Sequence, residues 1–131
     1  MPLYKKIVSF VLIILSLHAG AQTSNDWFQW HSAKNMPGSR GLSGMIAGFS
    51  NGALIIAGGS NFEIKGNGAV KMFHRKIYVC PEPGADVMEW IEAGDLPYAV
   101  ADAAYVPYNN GIIFIGGTNE QKKHNTVGFL Y

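Results

Sequence analysis

Cysteine is nearly missing: Cys80 is the one thiol in 131 residues, which excludes an intrachain disulfide. Its neighbours Tyr78 and Val79 put it on a strand, as a small packed side chain rather than a nucleophile. Surplus positive charge is missing too. Ten Lys and Arg face nine Asp and Glu, so there is no basic patch of the kind that nucleic acid or an anionic membrane would require. The histidines His31, His74 and His124 lie far apart and show no His-Glu-x-x-His spacing, so no metal site is expected. Gly38, Gly41 and Gly44 recur every three residues without a following Lys-Ser or Lys-Thr pair, which excludes a phosphate loop. No Asn-x-Ser/Thr sequon occurs, and helical periodicity is absent after the first 22 residues.

The one long apolar run is at the start. Lys5 and Lys6 precede Ile7 to Leu17, and Ala19-Gly20-Ala21 supplies a small-x-small cleavage pattern, so residues 1–21 read as a signal peptide with Gln22 as the mature start. The run is shorter than the roughly 20 residues that span a bilayer, and no cysteine follows it to carry a lipid anchor. Residues 22–131 are then expected in the periplasm or secreted, with no membrane association after cleavage. Without Lys5 and Lys6 the cationic count falls to eight against nine acids.

What is present is a repeat. Ala53-Leu54-Ile55-Ile56-Ala57-Gly58-Gly59-Ser60-Asn61 matches Gly111-Ile112-Ile113-Phe114-Ile115-Gly116-Gly117-Thr118-Asn119, about 58 residues on. Each copy follows a tryptophan (Trp30, Trp90) and a hydrophobe-proline pair (Met36-Pro37, Leu96-Pro97). The period is close to the roughly 50 residues of a kelch unit, which forms one four-stranded propeller blade. The fold expected is all-β, with about two four-stranded blades of a propeller, which usually needs about four to eight because ring closure removes free sheet edges.

The strands follow from turns and apolar runs. Trp27 to Trp30 reads as a brief aromatic strand, and Ser43 to Ala57 as an inner hairpin turned at Asn51-Gly52. Ser60 to Met72 reads as a long loop with Gly66-Asn67-Gly68 at its tip, Arg75 to Cys80 as a strand, and Val87 to Glu92 as an outer strand carrying Trp90. The second unit repeats the order with Val100 to Val106, a turn at Asn109-Asn110-Gly111, Ile112 to Ile115, a polar loop from Thr118 to Asn125, and a last strand from Val127.

Gly-Gly, then Tyr78 in the third strand and Trp90 in the fourth, resembles the kelch repeat. More narrowly, Gly44-Met45-Ile46-Ala47-Gly48-Phe49, Ala57-Gly58-Gly59-Ser60-Asn61-Phe62, Lys71 and Lys76-Ile77-Tyr78-Val79 resemble the cyclically permuted branch of the N-acetylneuraminate epimerase (sialic acid mutarotase) family. Ser60 and Glu63 stand where that family commonly has Ala and Pro. The resemblance covers most of Trp30 to Tyr131. It implies an exported six-bladed propeller, of which this chain holds about two blades, that interconverts the α and β anomers of sialic acid with neither metal nor organic cofactor. It also implies a general-base carboxylate in a later blade beyond Tyr131, so the 131-residue chain alone would be inactive. The alternative is a non-catalytic kelch propeller that binds glycans or proteins through its loops.

For a sugar acid, Arg40 is the preferred carboxylate contact, since guanidinium offers bidentate hydrogen bonds and the loop before an inner strand reaches a channel mouth; the plain alternative is a solvated arginine. Asn61 and Asn119 follow each diglycine, where an amide can bond sugar hydroxyls or cap its own turn. Asp102 is expected in an inner strand among alanines, where an acid must pair, face the channel or shift its pKa. Phe62 is a loop plug or a stacking surface, Lys71 a source of positive charge or a solubilising residue, and Glu63 a surface acid.

Overall fold

A computed structural model of the chain describes Phe28, residues 30–38 and residues 41–131. The expected signal peptide over 1–21, the mature start at Gln22, and Arg40 lie outside the described residues. Phe28 and Trp30 belong to no strand and both are exposed, so the aromatic strand expected there is not observed at these two positions.

Turn chemistry sets the frame of the rest. Asn51 and Gly52 take φ of 49° and 86°, the doubly positive pattern of a type I′ turn, whose twist matches that of the strands it joins. The turn links β1 (Ile46–Ser50) to β2 (Ala53–Ala57) in antiparallel register, Ser50 opposite Ala53. Asn109 and Asn110, with φ of 47° and 57°, do the same between β7 (Ala104–Tyr108) and β8 (Gly111–Ile115). Asparagine fits because its short polar side chain tolerates the left-handed region.

The remaining strands are β3 (Ser60–Lys65), β4 (Gly68–Phe73), β5 (Lys76–Cys80), β6 (Ile91–Asp95) and β9 (Val127–Leu130). They form a four-stranded sheet in the order β1-β2-β5-β6, a two-stranded β3-β4 hairpin, and a three-stranded sheet β7-β8-β9. Every pairing is antiparallel, and no helix occurs among the described residues. Three expectations need correction, while the second sheet has the three strands read for it in the sequence. The loop expected from Ser60 is a hairpin, turned at Gly66 and Asn67 with positive φ at the glycine alone, the pattern of a type II′ turn. The outer strand starts after Trp90, and its register with β5 slips between Ile77 and Tyr78 where Gly94 takes φ of 125°, as a bulge demands. Strand β7 starts at Ala104 rather than Val100; Pro107 is accommodated because β7 is an edge strand.

Alternation then decides the core. On β1, β2 and β5 one face carries Ile46, Gly48, Ile55, Ala57, Ile77 and Val79, in mutual register. That face packs on Ile112, Phe114 and Leu130 of the second sheet, sealed by Leu96 and Val100. Gly48 permits the approach: a Cβ there would come within 2.9 Å of the Ile112 side chain. Cys80 is fully buried, as a packed side chain should be. The outer faces are apolar as well, with Phe49 on the first sheet and Val106, Ile115, Val127 and Phe129 on the second, all exposed. A sheet that is apolar on both faces is suited to stacking between two others, and exposed apolar patches of this kind mark contact surfaces.

Candidate functional site

The inner strands of the two sheets start side by side, and their first turns build the site. β1 runs next to β7 and β8. Two residues before β1, Gly44 takes φ of 61°; two residues before β7, at the equivalent place in the repeat, Asp102 takes φ of 59°. The Asp102 N–H donates to the Gly44 carbonyl at 2.8 Å and so ties the two starts together. Each is flanked by a short bridge, Ser43 to Ser60 and Ala101 to Thr118. The diglycines close the same end. Gly59 N–H donates to the Val100 carbonyl at 2.7 Å, and all four glycines have positive φ, which a side chain would resist.

Asp102 is therefore not inside a strand, as the alanine-rich sequence implied, but in an exposed left-handed turn. Its carboxylate lies 3.3 Å from Lys71 Nζ, the two side chains being 52% and 36% exposed respectively. Lys71 stands on β4 directly opposite Phe62 of β3, and its ammonium lies 5.0 Å over the Phe73 ring, close enough for a cation–π contact. Neighbouring residues on a strand point to opposite faces, so Asn61 looks the other way. It lines a small open cleft with Gly38, Leu42, His74, Lys76 and Tyr78. There the His74 ring donates Nε2–H to Asn61 Oδ1 at 3.0 Å.

The two asparagines that the repeat equates do different work. Asn119 is a loop cap: its Oδ1 accepts from the Gln121 and Lys122 N–H groups at 3.0 and 3.1 Å, and its Nδ2 donates to the Ala99 carbonyl at 3.1 Å. Asn61 lies in a strand, has negative φ, and holds a histidine at the edge of the cleft. Lys76, also on the cleft, is bonded to Glu92 and lies 3.4 Å from Asp95; the hydrogen bond it donates to Glu92, and then the charge of Asp95, hold its pKa above the usual lysine value against the opposing effect of desolvation.

Of the three residues singled out from the sequence, Asn61 and Asp102 are thus at the same end of the first sheet, on either side of the β3-β4 hairpin, and Arg40 lies outside the described residues. The contribution of Phe62 and Lys71 as one face was not visible in sequence, because it depends on the hairpin register. The signal was there in outline: Phe62, Ile64 and then Ala69, Lys71 and Phe73 alternate about the Gly66-Asn67 turn.

No protein-family model matches the chain. It is 30% identical to the N-acetylneuraminate epimerase of Haemophilus influenzae (strain 86-028NP) over 122 residues, which is 81% of this chain and 31% of that protein. The N-acetylneuraminate epimerase of Vibrio vulnificus (strain YJ016) is 26% identical over 110 residues, 76% of this chain and 27% of the relative. The solved structure of YjhT matches with a TM-score of 0.65 at 26% identity, over 76% of this chain and 30% of that one. The chain spans about three tenths of the length of these relatives. On these likenesses in sequence and fold, the chain belongs to the N-acetylneuraminate epimerase family of kelch-type β-propellers.

Proposed function

We propose that this chain is part of an exported sialic acid mutarotase, a six-bladed ring that interconverts the α and β anomers of the sugar. One observation carries the reading: the rim where the inner strands start, with Gly44, Lys71 and Asp102 on one side of the β3-β4 hairpin and Asn61 on the other, lies in a chain that is 30% identical over 81% of its length to an N-acetylneuraminate epimerase. Apolar outer faces on both sheets support a ring that continues beyond them.

Mutarotation is a proton-transfer problem. A base takes the anomeric hydroxyl proton, the carbonyl forms as the ring C–O bond breaks, and an acid protonates the departing ring oxygen. Rotation and the reverse steps close the ring on the other carbonyl face, with no net change in atoms. In this proposal Arg40 contacts the substrate carboxylate and Asn61 and Asp102 contact hydroxyls. The general base comes from a blade outside this chain, and neither metal nor organic cofactor takes part.

The test is NMR of freshly dissolved sialic acid, in which both anomers are followed directly. The complete protein is expected to speed their equilibration and the 131-residue chain to leave it unchanged. Arg40→Ala in the complete protein should weaken binding more than folding. Equilibration accelerated by the isolated monomeric chain would overturn the assignment of the base to another blade.

A further inference from the structure

Asp102 is the one residue at the rim whose backbone works against its side chain. Its repeat equivalent is Gly44, for which φ of 61° is easy; Asp102 holds 59° with a Cβ, a region that aspartate enters more readily than most side chains but less readily than glycine. Glycine would serve the fold at this position, since the hydrogen bond to Gly44 is made by the backbone alone. A strained turn kept with a carboxylate points to a task for that carboxylate.

Its surroundings define the task. Lys71 sits 3.3 Å away, so the pair is neutral together and a substrate carboxylate would meet Asp102 repulsion as well as Lys71 attraction. A sugar hydroxyl suits both: the carboxylate accepts its proton while the ammonium donates to its oxygen. Phe62, directly across the hairpin from Lys71 and 64% exposed, adds an apolar surface for a face of C–H bonds. The second sheet has no such arm, because its equivalent segment is folded back and capped by Asn119.

We infer that Lys71, Asp102 and Phe62 form a subsite that reads the hydroxyls of the sugar, with Asp102 as the principal hydroxyl acceptor. The inference rests on the sugar-acid reading above and adds to it the residues and the part of the substrate they recognise.

The test uses the complete protein, sialic acid and a set of its singly deoxygenated analogues. Asp102→Gly should fold at least as well as wild type and raise KM about tenfold or more, the loss expected for a charge-assisted hydrogen bond, with kcat little changed. Lys71→Met should act in the same direction. At least one deoxygenated analogue should be indifferent to Asp102→Gly, since the hydroxyl it lacks is the one being read. Should Asp102→Gly fail to fold, Asp102→Asn, which tolerates the same φ, takes its place. An unchanged KM in both variants, or an equal penalty for every analogue, overturns the subsite. If wild type binds the sugar without exchanging its anomers, mutarotation falls and the same variants decide the subsite by Kd; if wild type does not bind the sugar, both fall.

Discussion

The first sheet and the second share an inner hairpin with a type I′ turn, a diglycine after its second strand and a bridged turn before its first, yet they differ wherever those parts meet a neighbour. Val100 and Ala101 pass between the two diglycines. A Cβ on Gly58 would lie 2.4 Å from the Val100 carbonyl, and one on Gly117 2.4 Å from the Val100 side chain and 2.8 Å from the Ala101 carbonyl. Their partners in the repeat are looser, at 3.1 Å or more for Gly59 and 3.4 Å for Gly116. Equal sequence thus serves unequal packing. The repeat fixes the backbone path through positive φ, and the linking segment decides which glycine of each pair is sterically locked.

The sharpest way to break this comparison is to add a methyl group at each glycine. Gly58→Ala and Gly117→Ala combine an unfavourable φ with a backbone or core clash and should each destabilise by about 3 kcal/mol or more. Gly116→Ala meets the φ penalty alone and should cost about 1–2 kcal/mol. Urea unfolding of the complete protein ranks them, and equal losses at all three positions would show that packing around Val100 is not what separates them.

The strand-start pair gives the next effect. Gly44→Ala would bring a Cβ to 2.1 Å from Asp102 Oδ1 and 2.9 Å from its backbone nitrogen, so a loss of about 2–3 kcal/mol is expected. The reciprocal Asp102→Gly should be neutral or stabilising by up to about 1 kcal/mol, because relief at φ outweighs an exposed ion pair. Thermal melts that moved together for both would mean that Asp102 is a structural residue.

At the equivalent asparagines the difference is smaller. Asn119→Ala removes three hydrogen bonds that hold a loop and should cost about 1–3 kcal/mol, while Asn61→Ala removes one at an open cleft and should cost about 0.5–1.5 kcal/mol. Hydrogen exchange at Gln121 and Lys122 should rise in the first variant only. The smallest effect concerns Lys76, which has no counterpart in the second sheet. Its raised pKa contributes stability that is present below the unfolded value of 10.5 and lost as pH rises through the folded value. Lys76→Met should therefore flatten stability against pH only on the alkaline side of about 10.5, and any change in the slope near neutral pH would count against this pairing.

Much of the architecture was legible because it rests on local chemistry. Asn51-Gly52 and Asn109-Asn110 announce their turns, Ala53–Ala57 and Gly111–Ile115 are short apolar runs, and paired glycines mark where the backbone needs positive φ. The β3-β4 hairpin was not legible, since Phe62 and Ile64 stay exposed and the segment has no buried face to give it a clean pattern. Strand β6 was misplaced for a related reason. Trp90 suggested a strand, but its Nε1–H donates to the Lys34 carbonyl at 3.2 Å from outside the sheet, while Ile91–Asp95 is an exposed stretch with a glycine bulge and little strand propensity.

At the site, the residue types were visible and their company was not. Composition and turn dipeptides determined an all-β repeat, its inner hairpins and the polar residues gathered after each diglycine. Tertiary structure alone decided that Val100 locks one glycine of each pair, that Asp102 repeats the backbone of Gly44 with a carboxylate added, and that Lys71 meets it from another strand. The physical reason is range: a turn is specified by the φ preferences of two adjacent residues, whereas the Lys71 and Asp102 contact joins groups 31 positions apart, which approach only after two sheets have packed and a hairpin has taken its register.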